Sequence, residues 1–345
     1  MLAAGGVCWV GLGQEVWPLR HKPTGAQTRM PTCDFQPVVW DRMLEDDLQH
    51  LVRLAVREDL GRQMDWTTVA LIPSDRQGAA CLVARQSGVS AGLPVVPAVL
   101  RETHADVVWH PRIEDGQPFS AGTVLGELAG SVRDLLTLER TILNFLSRLC
   151  GIATLTRRYV DAVSGTGVRI YDTRKTTPGW RRLEKYAVLC GGGHNHRCGL
   201  FDAFLVKDNH LAFTGSRNDP ASALRALRDF VHQTKLHYPQ LEHLPVEVEV
   251  DSLAQLENVL AEKPTLVLLD NFTIEDLKRA VAMRDRIAAE TLLEASGGIR
   301  LENVRQVADT GVDRISIGAL THQAVAVDLA LDWMERANQA PTMRP

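Results

Sequence analysis

Nowhere in the 345 residues does an apolar run approach the roughly 20 residues that a membrane-spanning helix needs, so the pattern offers no helical span and no membrane partner. The six cysteines, Cys8, Cys33, Cys81, Cys150, Cys190 and Cys198, include no CxxC pair and no His/Cys spacing of the kind zinc sites use, which points to reduced cytosolic thiols. Positive charge is not in excess either. With 38 Lys and Arg against 42 Asp and Glu, the net charge is -4, which argues against a general binder of nucleic acid or anionic membrane. The first 29 residues hold a short apolar stretch with no basic region ahead of it, a poor layout for a signal peptide. They read as a disordered extension, or as an upstream start with Met30 the functional one. The expected localisation is cytoplasmic.

What is present is an ordinary globular composition, 45% hydrophobic and 23% charged, in a chain long enough for two domains or one barrel with additions. From 42 to 62, apolar residues at Met43, Leu44, Leu48, Leu51, Leu54 and Ala55, closed by Gly61, predict a helix. Residues 78 to 130 are short β-rich runs broken by Gly and Pro, which predict an antiparallel or mixed sheet. "VRDLLTLERTILNFLSRLCGIATLTRRYVDAV" reads as helix again. Apolar strand candidates then recur at 168–171, 203–206, 246–250, 265–269, 291–295 and 313–317, separated mostly by helical patterns. Repeated strand then helix implies parallel strands and an α/β barrel, complete or open.

The ends of those strands carry the chemistry. Asp172 with Arg174 and Lys175, then Lys207, Glu249, Asp270, Ser296-Gly297-Gly298 and Gly318 follow successive strands, and in a barrel such positions converge on one face. The turns "ASGGIR" and "SIGAL" suit close backbone approach to a phosphate. Glu249 and Asp270 offer oxygen ligands for Mg²⁺ beside that phosphate, or a salt bridge to Lys207 or Lys175, and the two roles can coexist. Arg174, Lys175, Arg197 and Lys207, with His196 among them, form a basic wall suited to a dicarboxylate or a pyrophosphate. Arg181, Arg182 and Lys185 read as the solvated face of a short helix, and His194 and His210 can equally be structural hydrogen-bond partners. "GGG" at 191–193 reads as a bend folding the loop over the site. The composite is two anion subsites with a metal position between them.

Seven blocks in order, "ERTILNFLSRLCGIAT", "DTRKTTPGWRRLEKYAV", "GGGHNHRCGLFDAFLVKDNH", "VEVEVDSL", "LLDNF", "ASGGI" and "SIGALTH", resemble quinolinate phosphoribosyltransferases from about Leu44 to Trp333. The resemblance implies the joining of quinolinate to phosphoribosyl pyrophosphate, with release of pyrophosphate and CO2 to give nicotinate mononucleotide in NAD synthesis. It implies an α/β fold, with an open α/β barrel of parallel strands over 145–321 and an α/β sandwich domain over 36–144 plus 322–345, after an extension over 1–35. Mg²⁺ and a homodimer, or a higher oligomer of dimers, are expected with it. By motif position, Arg140, Arg174, Lys175, Thr176, His196 and Arg197 would bind quinolinate. Lys207, Glu249, Asp270, Ser296, Gly297, Gly298, Ile317, Gly318 and Ala319 would surround phosphoribosyl pyrophosphate and its metal, with Lys175, Lys207, Glu249 and Asp270 as the catalytic set.

Arg140, Asn144 and Arg148 form a polar stripe at four-residue spacing on an otherwise apolar helix, and the family pattern would carry Arg140 into the partner's barrel mouth. Three features depart from that pattern: a longer segment at 213–244, Met64 where glycine is expected, and the extension before Met30. The rival readings are a molybdenum-associated paralogue, disfavoured by the intact "NHR" and "KDNH" blocks, and a non-catalytic sensor of sugar phosphates, which would not need both Glu249 and Asp270.

Overall fold

Asp41 opens the first helix by accepting the Leu44 N–H on its carboxylate at 2.8 Å, and Gly61, at φ 60°, closes it. In this computed structural model, which describes residues 34–213 and 219–334, the helix is α1 (Arg42–Leu60). Its buried stripe is Leu44, Leu48 and Val52. Met43 and Leu54, expected on that face, stay exposed, because a four-residue step from Leu48 lands on Val52. Asp65 then caps α2 (Trp66–Leu71). The non-glycine residues with positive φ among those described are His104, Lys263 and Asn271, so the turn at Met64 accepts a side chain without strain.

The expected β-rich stretch contains β1 (Gln77–Ala84), β2 (Gly88–Val89), α3 (Val95–Thr103), β3 (Val107–Pro111), β4 (Pro118–Phe119) and β5 (Val124–Ser131). β5 pairs antiparallel with β1 on one side and β3 on the other, while β2 and β4 form a small separate pair. α4 (Val132–Ala162) starts where the Ser131 hydroxyl accepts the Asp134 N–H. It runs unbroken across 144–145 and buries Leu135, Leu138, Ile142, Phe145, Leu146 and Leu149, touching both β5 and the sheet that follows.

That sheet is built by β6 (Arg169–Tyr171), α5 (Arg181–Cys190), β7 (Phe204–Val206), α6 (Asp208–Phe213), α7 (Pro220–Thr234), β8 (Val246–Val250), α8 (Leu253–Ala261), β9 (Leu266–Asp270), α9 (Ile274–Ile287), β10 (Leu292–Ser296), α10 (Val304–Ala308), β11 (Arg314–Ser316) and α11 (Ala319–His322). The strand order is β6-β11-β10-β9-β8-β7 and every neighbouring pair is parallel. β6 and β7 end the order without pairing to each other, so the barrel is open. β12 (Leu329–Trp333) returns to pair antiparallel with β1, giving the first sheet the order β12-β1-β5-β3.

One expectation about a segment changes. The extension was set to end at residue 35, yet Asp34 and Phe35 are part of the fold, Phe35 being buried against Tyr171, Ala203 and Leu266. Residues 1–33 lie outside those described. In the long 213–244 segment, α7 lies against α8 and β8, with Arg225 and Arg228 both reaching Glu262.

Candidate active site

The parallel strands end in register, Ser296 beside Asp270 and Ser316 beside Tyr171, so the loops after them surround one cavity of about 560 Å³. Arg174, Lys175, His196, Arg197, Lys207, Glu249, Asp270, Ser296, Gly297, Gly298, Ile317, Gly318 and Ala319 all line it. Arg140 and Thr176 do not. Thr176 serves the wall from behind: its hydroxyl accepts the Arg181 Nε–H at 3.1 Å, and Arg181 also donates to the Cys198 carbonyl at 3.1 Å.

The basic wall is held by buried charge. Lys185 is fully buried and forms an ion pair with the equally buried Asp172. Asp172 also accepts the His196 N–H at 2.8 Å and Asn195 Nδ2–H at 2.7 Å. The reading of Arg181, Arg182 and Lys185 as a solvated face is therefore corrected. α5 turns this face toward the barrel and α1, where Arg182 meets Asp47 at 3.5 Å. The glycine run has a packing role as well as a bend. Gly191 and Gly193 allow close packing on α4, since a Cβ at either would fall within 3 Å of Thr156. The turn then brings His194 back to bridge Tyr171 at the sheet edge, and the loop it opens carries His196 and Arg197 to the cavity wall.

His196 lines the cavity with both ring nitrogens engaged. The Arg197 N–H donates to Nδ1 at 2.8 Å, so Nδ1 carries no proton, and Nε2–H donates to Glu247 at 2.8 Å. Burial, the leading cause, holds the ring below its usual pKa, which agrees with this neutral form. The expected grip of His196 on a substrate is thereby narrowed to shaping the wall. Burial, and next to it Arg174, lowers the Arg197 guanidinium pKa, as expected for two cations facing one space. His194 and His210 take the structural alternative: His194 stacks on Tyr171, and His210 Nδ1 accepts the Lys207 N–H at 3.0 Å.

Lys207 and Glu249 form an ion pair, the alternative that the sequence left beside metal binding. Asp270 accepts Asn271 Nδ2–H at 2.9 Å. Gly297 adopts φ 92°, and a Cβ there would lie 2.2 Å from Asn271 Oδ1, so only glycine fits the turn. A Cβ on Gly318 would press on Lys175 Cδ at 2.9 Å. Asn271, itself at φ 56°, escaped the sequence reading although "LLDNF" contains it. His322, Gln323 and Arg300, which also line the cavity, were missed as well.

Beneath the cavity lie charges that the strand pattern conceals. Glu247 and Glu294 are fully buried, and burial raises their pKa values to about 8 and about 7, with Arg314 opposing in both. His196, Glu247 and Glu294 bring ligand atoms within 4.8 Å of one another. The oxygen pair open to the cavity is Glu249 and Asp270, a donor type suited to Mg²⁺. Arg148, on the expected polar stripe, reaches Glu184 at 2.7 Å and the Thr321 carbonyl at 2.6 Å. Arg140 remains on the surface, 73% exposed, with Glu139 at 3.8 Å.

Two family descriptions match this chain: quinolinate phosphoribosyl transferase, N-terminal domain, over 65–150, and its C-terminal domain over 152–332. A nicotinate-nucleotide pyrophosphorylase [carboxylating] of Mycobacterium leprae is 46% identical over 289 residues, covering 83% of this chain and 97% of that one. A quinolinate phosphoribosyltransferase [decarboxylating] of Nicotiana tabacum is 36% identical, with 83% and 82% covered. Among solved structures, the nicotinate-nucleotide pyrophosphorylase of Francisella tularensis superposes with a TM-score of 0.76 at 35% identity, over 87% of this chain and 100% of its own. Matching domains in both halves, on this open barrel and around this cavity, mean that the chain belongs to the quinolinate phosphoribosyltransferase family.

Proposed function

We propose that this chain transfers the phosphoribosyl group of phosphoribosyl pyrophosphate to quinolinate with decarboxylation, giving nicotinate mononucleotide, pyrophosphate and CO2 for NAD synthesis. The observation that carries this reading is that one cavity combines Arg174, Lys175 and Arg197 with Glu249, Asp270 and two glycine turns. Guanidinium forks suit the two carboxylates of quinolinate, and the turns admit a phosphate close to the backbone. The pyridine nitrogen bonds to ribose C1 as the C1–oxygen bond to pyrophosphate breaks. Lys175 and Lys207 stabilise the charge growing on that leaving group. Glu249 and Asp270 would hold a Mg²⁺, which would supply further positive charge against the leaving pyrophosphate. The alkylated, cationic nitrogen then draws the electron pair left at C2 when CO2 departs, and C2 takes a proton. The arginines orient the dicarboxylate throughout.

The working unit in this reading is a homodimer, or a higher oligomer of dimers, in which Arg140 completes the partner's cavity. Its exposure and its place outside the cavity of its own chain support that assignment. A cytoplasmic location belongs to this reading; among the described residues no helix is long and apolar enough to cross a membrane. Purified protein with Mg²⁺, phosphoribosyl pyrophosphate and quinolinate should form nicotinate mononucleotide, and nicotinate in place of quinolinate should not react appreciably. No product with either acid would favour the non-catalytic sensor. Equal use of nicotinate would remove the role given to the second carboxylate.

A further inference from the structure

The loop that carries Arg197 has little regular structure of its own. Between α5 and β7 its one strand-like pairing is the bridge of His194 to Tyr171, yet a guanidinium that recognises a carboxylate must be held within about 0.5 Å. Beside the bonds donated by the His196 N–H to Asp172 and by Arg181 to the Cys198 carbonyl, a further constraint comes from the strap Asp34–Val38. Phe35 packs against Ala203, Leu266 and Leu292, at or just before the starts of β7, β9 and β10 and therefore at the end of the barrel opposite the cavity. Asp34 fixes the strap there, its carboxylate 3.0 Å from Arg314 and 3.5 Å from Arg169, with the Tyr171 hydroxyl at 3.2 Å.

From this anchor, two contacts reach the residues that adjoin Arg197. The Phe35 ring stacks on His196 with centroids 4.1 Å apart and planes inclined by 27°, and Arg197 donates its N–H to that same imidazole. The Val38 N–H donates to Asn195 Oδ1 at 2.8 Å, while Asn195 donates to Asp172 and to the Lys185 carbonyl at 2.9 Å.

We propose that the strap Asp34–Val38 positions Arg197 for the acid substrate, with Phe35 acting through His196. The proposal rests on the reading of the cavity as a dicarboxylate site. Phe35 is a positioning residue: it stacks on the His196 ring to which the Arg197 N–H donates and is not among the residues lining the cavity. A filler at this point needs only apolar volume, which leucine supplies, whereas holding the imidazole plane needs a ring.

The test compares wild type with Phe35→Leu. With Phe35→Leu, KM for quinolinate should rise at least about fivefold, while KM for phosphoribosyl pyrophosphate and kcat stay within about threefold. Hydrogen exchange without substrates should be at least about tenfold faster at the His196 and Arg197 amides at unchanged Tm. Unchanged exchange at those amides overturns the proposal, as does a KM change shared equally by both substrates. If wild type shows no turnover, the reading of the cavity fails, and the exchange comparison alone still decides whether the strap holds this loop.

Discussion

Lys207 and Glu249, at the ends of adjacent strands β7 and β8, meet in an ion pair at the cavity wall. Glu249 can therefore serve a metal only by sharing its charge between two cations, while Asp270, one strand further on, has no lysine partner among the described ion pairs. Changing either Glu249 or Asp270 to Ala should lower turnover by well over tenfold and leave quinolinate affinity within about twofold, because both act on the phosphoribosyl substrate. Calorimetry showing an equal loss of quinolinate affinity would contradict this division of roles.

The buried Asp172–Lys185 pair yields a stability prediction. Lys185→Met leaves the Asp172 charge buried without its partner and should cost about 3–5 kcal/mol. The double change with Asp172→Asn should recover much of that loss. Urea titration of the three proteins measures it, and a single variant as stable as wild type would show that the pair is not holding the wall.

That pair also marks where the sequence stops being legible. The six parallel strands, a barrel either complete or open, and the convergence of charged strand ends could be read from recurring apolar runs and the residues that follow them, whereas the openness of the barrel came only with the family resemblance. Lys185 and Arg181 could not, because helical spacing does not say which face of α5 meets the barrel. Glu247 and Glu294 were hidden for a related reason: an isolated acid within an apolar strand reads as surface, although in a barrel it can point into a sealed interior. Asn271 required a backbone angle, and Phe35 required knowing which element covers the far end of the barrel.

The exposed His194 and the fully buried Glu294 give pH slopes of opposite sign. His194, exposed as a residue but with its ring stacked on Tyr171, has a folded pKa lowered to about 4 by lost ring hydration and then by Arg169, against about 6.5 when unfolded, and solvent at this exposed site reduces the size of the effect. The unfolded chain therefore binds more protons across that window, and stability falls as pH drops through it. His194→Gln should flatten this slope. Glu294 is raised to about 7, chiefly by burial and then by Glu247, so the folded chain binds more protons above the ordinary carboxylate range and stability falls as pH rises toward 7. Glu294→Gln should therefore raise Tm relative to wild type at pH 8, with the gain largely gone near pH 4.5. Thermal melts over pH 4–8 test both; a Glu294→Gln gain that is independent of pH would mean that Glu294 is not the titrating group.

Arg140 tests the shared site. Arg140→Ala and Lys175→Ala should each be nearly inactive, and mixing followed by reassociation should restore activity, because some dimers then contain one cavity with an intact Lys175 and an intact Arg140 from the other chain. Verified mixed dimers that remain inactive would show that Arg140 serves its own chain or the fold alone.

The coupling of phosphoribosyl transfer to decarboxylation in this one cavity is tested most directly by product stoichiometry with quinolinate labelled at the 2-carboxyl carbon. Labelled CO2, pyrophosphate and nicotinate mononucleotide should appear in equal amounts, and only when phosphoribosyl pyrophosphate is present. Labelled CO2 released without it, or pyrophosphate released without CO2, would contradict the account.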